Sequence, residues 1–327
     1  MIRIGGCIRR GSVLYRGNRT IETKTGDRMS SLSGTKIAVI GLGLMGKPMA
    51  RNLARAGAAM VISNRSQGVI EELAAEGMTP AATPGAAAKA ADVIITMLPD
   101  TPTLEKVLTG DGGAFRADIA GKLIIDMSTS KVLTAQALAK QAEDLGADYV
   151  DAPVSGGTWG AEAASLTIMA GGTEAAFARA LPVLEALGKK ITHVGPSGAG
   201  QVAKAANQVI VGLNIGAVAE ALSLAEKCGV DPAKVRDALG GGFADSRILE
   251  VHGKRMIDGA FKPGAHCTIQ RKDMDQALEL AAHLGIELPA TSLCRDLYDK
   301  VIEQGDGQLD HAGLIRAIRP DWPVSER

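Results

Sequence analysis

An α/β architecture is what the sequence predicts: a doubly wound parallel sheet, then an all-α C-terminal domain, joined by a long helix. Three observations predict it. From Lys36 to about Gly195, short apolar runs alternate with helical segments, the pattern of successive parallel βαβ units. A glycine-rich turn, Gly41 to Gly46, stands at the first strand-to-helix junction. Beyond Gly200 the strand signals stop and only helical segments remain.

The elements follow in order. Lys36–Gly41 reads as a buried strand and Leu44–Ala56 as a helix, with Gly57 as its stop. Met60–Ser63 is the second strand, followed by a helix around Val69–Ala75. Then come a strand at Val93–Met97, a helix at Thr103–Leu108, a strand at Leu123–Asp126 and a helix near Leu133–Leu145. Tyr149–Asp151, Leu166–Ala170 and Ile191–Val194 are three more short strands. Gln201–Lys227 is an apolar stretch without proline, a helix about 40 Å long at 1.5 Å per residue. Lys204, Asn207, Asn214 and Glu220 interrupt it too often for a lipid-facing span, so it is expected between domains or subunits. Helices at Pro232–Leu239, Ser246–Met256, Lys272–Leu284, Ala290–Gln304 and His311–Ile318 complete the chain.

A length of 327 residues fits two domains. They are expected at 35–196 and 197–320, behind a leader at 1–34. That leader carries seven basic residues against Glu22 and Asp27 and has no secretory apolar run. It reads as a disordered or non-native extension with Met29 as the working start, the other reading being a transit peptide. Thirty-six basic residues balance 36 acidic ones, which argues against a nucleic-acid groove. Cys7, Cys228, Cys267 and Cys294 form no C-x-x-C pair, and the five histidines have no metal-ligand spacing. No metal is expected, and free thiols fit a cytoplasmic protein.

The strongest local signal is Gly41-Leu42-Gly43-Leu44-Met45-Gly46. At a strand-to-helix junction these glycines give the tight turn, the close approach of a pyrophosphate and the helix–strand contact of a Rossmann-type dinucleotide site. Met97-Leu98-Pro99, past the third strand, is expected on the same cofactor. At the end of the second strand stands Asn64-Arg65-Ser66, with no acid between Ala58 and Ile70. A guanidinium suits a 2′-phosphate that a carboxylate would repel, so NADP(H) is favoured over NAD(H), which stays possible; the other reading of Arg65 is a solvated surface residue. Asp126-Met127-Ser128-Thr129 and Asp151 to Gly157 both lie past a strand's carboxyl end, where open α/β sheets bind ligands. The Ser155-Gly156-Gly157 turn suits a carboxylate, although such turns are common. Lys204, Asn207 and Gln208 share one face of the apolar helix. A lysine there has a chemical role, or snorkels to the surface.

With these residues assembled, the chain from Lys36 to about Ile318 resembles the β-hydroxyacid dehydrogenase family. The glycine motif, Asp126 to Thr129, Asp151 to Gly157, Gly200 to Asn207 and Lys272-Asp273 match in order. Within it, the stretches 206–211, 242–252 and 308–311 are similar to the group that reduces tartronate semialdehyde to glycerate in glyoxylate metabolism. The resemblance implies an active site between the two domains; separately, the helix 201–227 is apolar on more faces than one small domain can cover, which predicts a homodimer or homotetramer. It implies that Lys204 is catalytic and Asn207 its neighbouring amide. It places Ser128, Ser155, Gly156 and Gly157 on the carboxylate of a small β-hydroxy acid or semialdehyde, and Thr129 and Lys272 near the nicotinamide. The chain departs from the family pattern at Ser130-Lys131-Val132, usually an Ile-x-Pro-like run, and at Gln208, often asparagine. Alternatives are a member acting on 3-hydroxyisobutyrate or succinic semialdehyde, and a non-catalytic NADP-binding module, which would need neither Lys204 nor Asn207.

Overall fold

The computed structural model describes residues 20–22 and 32–325. Among the described residues ten strands form one sheet: β1 Thr20–Glu22, β2 Lys36–Ile40, β3 Ala59–Ser63, β4 Thr79–Pro80, β5 Val93–Thr96, β6 Leu123–Asp126, β7 Asp148–Asp151, β8 Val154–Ser155, β9 Leu166–Gly171 and β10 Gly188–Gly195. Their order is β1-β10-β9-β7-β6-β5-β2-β3-β4, with β8 on β9. The neighbours from β4 to β7 are parallel throughout. The chain winds outward from β2 in both directions, so the strand order reverses between β2 and β5. The crevice beyond the carboxyl ends of those two strands is where a doubly wound sheet takes a dinucleotide.

Two-sided burial explains why the central strands read as continuous apolar runs. Ile37 and Val39 of β2 face one core layer with Val93, Ile95, Leu123 and Ile125. Ala38 and Ile40 face the other, with Ile94 and Ile124. A third core, in the C-terminal domain, gathers Ile215, Ala219 and Leu222 of the long helix with Met274, Tyr298 and Trp322. That helix, Ala199–Lys227, is the one described helix long and apolar enough to cross a membrane; half of its most apolar window is buried in the protein. Its apolarity serves to pack against both domains.

Several elements escape the sequence reading. The helix Pro84–Ala90, capped by Thr83, is nearly all small residues and shows no apolar periodicity. The helix Glu174–Glu185 contains Pro182, which reads as a breaker, although the Thr173 cap was a usable start signal. Only two exposed residues make up β4. The helix read from Lys272 begins at Cys267. The helix read over Ser246–Met256 is a π turn at Leu249–Gly253 followed by Lys254–Asp258. The reading of 1–34 as lying outside the fold is too broad. Leu32 is buried and its N–H donates to Ala56 O at 2.8 Å, and β1 pairs antiparallel with β10. The remainder of that leader, 1–19 and 23–31, lies outside the described residues.

Candidate active site

The dinucleotide end is built by backbone shape. Gly41 adopts a positive φ of 100°, and a Cβ there would overlap Met97 O. A Cβ on Gly46 would overlap Gly41 O. Around Gly43 a Cβ would meet nothing within 4 Å, so this glycine keeps the turn open on its outer side. The helix Gly46–Arg55 has no side-chain cap and no acid in its first turn, leaving its N–H groups for an anion. These features fit a pyrophosphate. Asn64 is committed to the turn: its Oδ1 accepts from Leu42 N at 3.1 Å and its Nδ2 donates to Ser66 O. Arg65 and Ser66 are exposed, and no ion pair to Arg65 occurs among the described residues. Met97 O and the Leu98 side chain lie against Gly41, and Pro99 is exposed.

The floor is a set of buried carboxylates. Asp126 is buried and accepts from Thr96 Oγ1 at 2.8 Å and Ser128 N at 3.0 Å; burial pushes its pKa up. Asp151, its register partner on β7, accepts from Gly198 N at 2.7 Å and Gln201 N at 2.9 Å. It thereby caps the long helix. Burial pushes its carboxyl up to about 7 against those two bonds. The glycines of the Gly198-x-Gly200 stretch have a steric reason: a Cβ on Gly200 would sit 2.5 Å from Asp151 O.

Lys204 is buried one turn further along. Its Nζ donates to Val154 O at 2.8 Å and to Gln208 Oε1 at 3.1 Å. Val154 directly precedes Ser155, Gly156 and Gly157, the last two at φ of 132° and 60°. Asn207 Nδ2 also donates to Gln208 Oε1, at 2.7 Å. Gln208 Nε2 donates to Asp273 Oδ2 at 2.6 Å and Gln270 Oε1 at 3.2 Å. Lys272 Nζ lies 2.9 Å from Asp273 Oδ1 and donates to Thr129 O at 3.3 Å, crossing from the helical domain to the sheet domain. Gln276 does the same to Thr101, and Lys131 pairs with Glu279. Burial lowers the Lys204 pKa; Asp273 opposes this and Lys272 adds to it. A narrow crevice follows, lined by Thr129, Lys131, Gln201, Gln208, Asp273 and Gln276 among others.

Lys204, Asn207, Thr129 and Lys272 thus converge, and Ser155–Gly157 adjoins them through Val154. Ser128 does not face the crevice. It is fully buried, and its Oγ accepts from Leu98 N at 3.0 Å, so it joins the two loops from below. Sequence reasoning gave Gln208 and Asp273 no role and missed Gln270. The i, i+4 spacing of Lys204 and Gln208 was the available signal. It also scattered the histidines, whereas His252 and His311 meet Asp310 with ligating atoms within 4.8 Å of one another. Asp310 is already paired there with Arg255 at 2.6 Å and accepts from Gly264 N and Ala312 N.

A dinucleotide cradle at a strand-order switch, facing a buried lysine across a domain boundary, defines an NAD(P)-dependent oxidoreductase. Residues 36–195 match the family described as the NAD binding domain of 6-phosphogluconate dehydrogenase. Residues 198–318 match that described as NAD-binding of NADP-dependent 3-hydroxyisobutyrate dehydrogenase. The chain is 48% identical over 283 residues to 2-hydroxy-3-oxopropionate reductase of Escherichia coli, covering 86% of this chain and 97% of that protein. It is 38% identical to 2-(hydroxymethyl)glutarate dehydrogenase of Eubacterium barkeri, over 86% and 94% of the two chains. Its fold matches 3-hydroxyisobutyrate dehydrogenase of Mycobacterium tuberculosis, solved with L-serine, with a TM-score of 0.81 and 34% identity over 87% and 99% of the chains. The chain belongs to the β-hydroxyacid dehydrogenase family and is an NAD(P)-dependent dehydrogenase of that family.

Proposed function

We propose that this enzyme reduces tartronate semialdehyde to glycerate with NADPH, Lys204 delivering the proton. The placement of Lys204 carries the reading. An ammonium has three protons to donate. Val154 O and Gln208 Oε1 take two, and the third is left for a substrate oxygen. The reduced dinucleotide, when bound along Gly41–Gly46, supplies the hydride. Ser155, Gly156 and Gly157 hold the substrate carboxylate one residue beyond the Val154 carbonyl that orients the lysine. Lys204 protonates the alkoxide as it develops, and burial eases release of that proton. Asn207 fixes the Gln208 carbonyl on which the ammonium rests. Thr129 and Lys272 close the nicotinamide end. The 48% identical reductase supports the substrate. The three described cysteines are free, which supports a cytosolic setting.

Steady-state kinetics on three- and four-carbon semialdehydes with both dinucleotides test the reading. Tartronate semialdehyde should give the highest kcat/KM, since a longer chain anchored at Ser155–Gly157 misplaces its carbonyl. Arg65 supports NADPH. Its replacement by alanine should cost the NADPH reaction roughly 10- to 150-fold in kcat/KM, the worth of charge-assisted bonds of about 1.5–3 kcal/mol, while leaving NADH use nearly unchanged. A preference for succinic semialdehyde moves the assignment to a sister group, and equal use of both dinucleotides by the parent enzyme removes the role of Arg65.

The same reading includes an assembly of two or four copies. Val202, Ile210 and Leu224 are 47%, 61% and 67% exposed on the long helix, within one sector of about 80° at 3.6 residues per turn. Such a stripe is what a second copy covers. Light scattering at micromolar concentration is expected to give two or four times the chain mass; a monomer would refute the assembly.

A further inference from the structure

We infer that Gln270 is a positioning residue for the proton-transferring lysine, with His311 bracing it from behind; this rests on the role proposed for Lys204. Gln270 stands on the helix Cys267–His283, is 1% exposed and does not line the crevice. It grips Gln208 at two points. Its Oε1 accepts from Gln208 Nε2 at 3.2 Å, and its Nε2 donates to the Gln208 backbone carbonyl at 2.9 Å. A side chain that accepts from one group of a residue and donates to another fixes both the rotamer and the sense of the amide.

Counting donors makes the consequence specific. The Gln208 amide nitrogen has two hydrogens; one goes to Gln270 Oε1 and the other to Asp273 Oδ2. With both spent, Gln208 Oε1 has to face the opposite way, where Lys204 Nζ and Asn207 Nδ2 meet it. Remove the Gln270 grip, and Gln208 can turn about its own side chain on the Asp273 contact alone. Gln270 Oε1 has a second contact, His311 Nδ1 at 3.4 Å. Burial holds the His311 pKa down to about 3, so the ring is neutral and can give Gln270 its Nδ1 hydrogen. Behind it lie His252, edge-on with ring centres 4.5 Å apart, and the Asp310–Arg255 pair. The charged and titratable groups facing Lys204 are Asp273 and Lys272 from the helix Cys267–His283 and His311 from its turn. Gln270 therefore acts on the lysine through one neutral residue, without touching substrate.

The test uses the full-length enzyme with 13C-labelled lysines. The Lys204 resonance, assigned by its loss in Lys204→Ala, is titrated by NMR in the parent, Gln270→Met, Gln270→Glu and His311→Phe. Gln270→Met keeps the shape and loses both bonds. Lys204 should then titrate at lower pH than in the parent, because its ammonium loses a fixed acceptor. kcat should fall about 10- to 100-fold, the usual cost of a small misplacement, with KM for NADPH unchanged. Gln270→Glu keeps the acceptor for Gln208 and adds negative charge, so Lys204 should titrate at higher pH than in Gln270→Met. His311→Phe should move the lysine in the same direction as Gln270→Met, by less, and decides the matter should Gln270→Met fail to fold. A lysine titration unmoved in every folded variant, with thermal stability alone reduced, means that Gln270 is only structural and overturns the inference. The titration reads the ammonium and not turnover. An active Lys204→Ala enzyme would therefore sink the proton-donor role and leave the Gln270 result standing.

Discussion

Lys204→Ala is expected to lower kcat by about 10²–10⁴, the usual loss for a general acid, while NADPH affinity stays near the parent value. Removal of the side chain takes the lysine donor from Val154 O and Gln208 Oε1, but the dinucleotide turn at 41–46 rests on the Met97 and Ser63 backbone and the Asn64 side chain. Chemistry and cofactor binding should therefore separate. Lys204→Arg is not expected to restore the rate. A guanidinium holds its proton too tightly, and its planar fork does not match two acceptors set for an ammonium. The pH dependence has a definite sign. In the proposed role Lys204 acts while protonated, and burial brings its pKa down from the ordinary lysine value. Aldehyde reduction should accordingly fall as pH rises through that lowered pKa, and Lys204→Ala should lack this limb. The readouts are kcat against pH and a fluorescence titration with NADPH. A variant retaining more than about a tenth of parental kcat would show that another group donates the proton.

The second large effect belongs to the glycine turn, where two alanine variants should fail for different reasons. Gly46→Ala brings a methyl group onto Gly41 O, a backbone atom that cannot rotate away. The turn must open, at a cost of about 1–3 kcal/mol, and both the melting temperature and NADPH binding should drop. Gly43→Ala adds its methyl to open space. The free protein should melt within a degree or two of the parent, yet NADPH affinity should fall about 10- to 100-fold, since the added group stands where the pyrophosphate must approach. Calorimetry without ligand and a binding titration distinguish the two. Unchanged affinity in Gly43→Ala would mean that the dinucleotide does not lie along this turn.

Much of this enzyme was legible in one dimension. Continuous apolar runs at Ile37–Ile40, Val93–Ile95 and Leu123–Ile125 announce strands buried on both faces, and that is what the two core layers show. The spacing of Gly41, Gly43 and Gly46 states its own steric requirements. Lys204, Asn207 and Gln208 lie within one turn of each other, so their common face follows from helix geometry alone. Where periodicity is absent the reading fails: Pro84–Ala90 is too uniformly small to show an inward face, and Pro182 masks the helix around it.

The sequence by itself determined the doubly wound sheet, the dinucleotide turn, the long helix and the lysine on it, because each is written in neighbours a few residues apart. Only the tertiary structure decided what those groups touch. Lys204 meets Val154, 50 residues away, and Gln208 meets Asp273, 65 residues away. Ser128 turns under the floor to hold Leu98 instead of facing the crevice. His252, distant in the chain from the adjacent pair Asp310 and His311, joins them in one partly buried cluster behind Gln270. The physical reason is the same in each case. Backbone periodicity fixes which face a residue shares with its neighbours, whereas the identity of a distant partner depends on how the helical domain docks against the sheet and which donors and acceptors that docking removes from water.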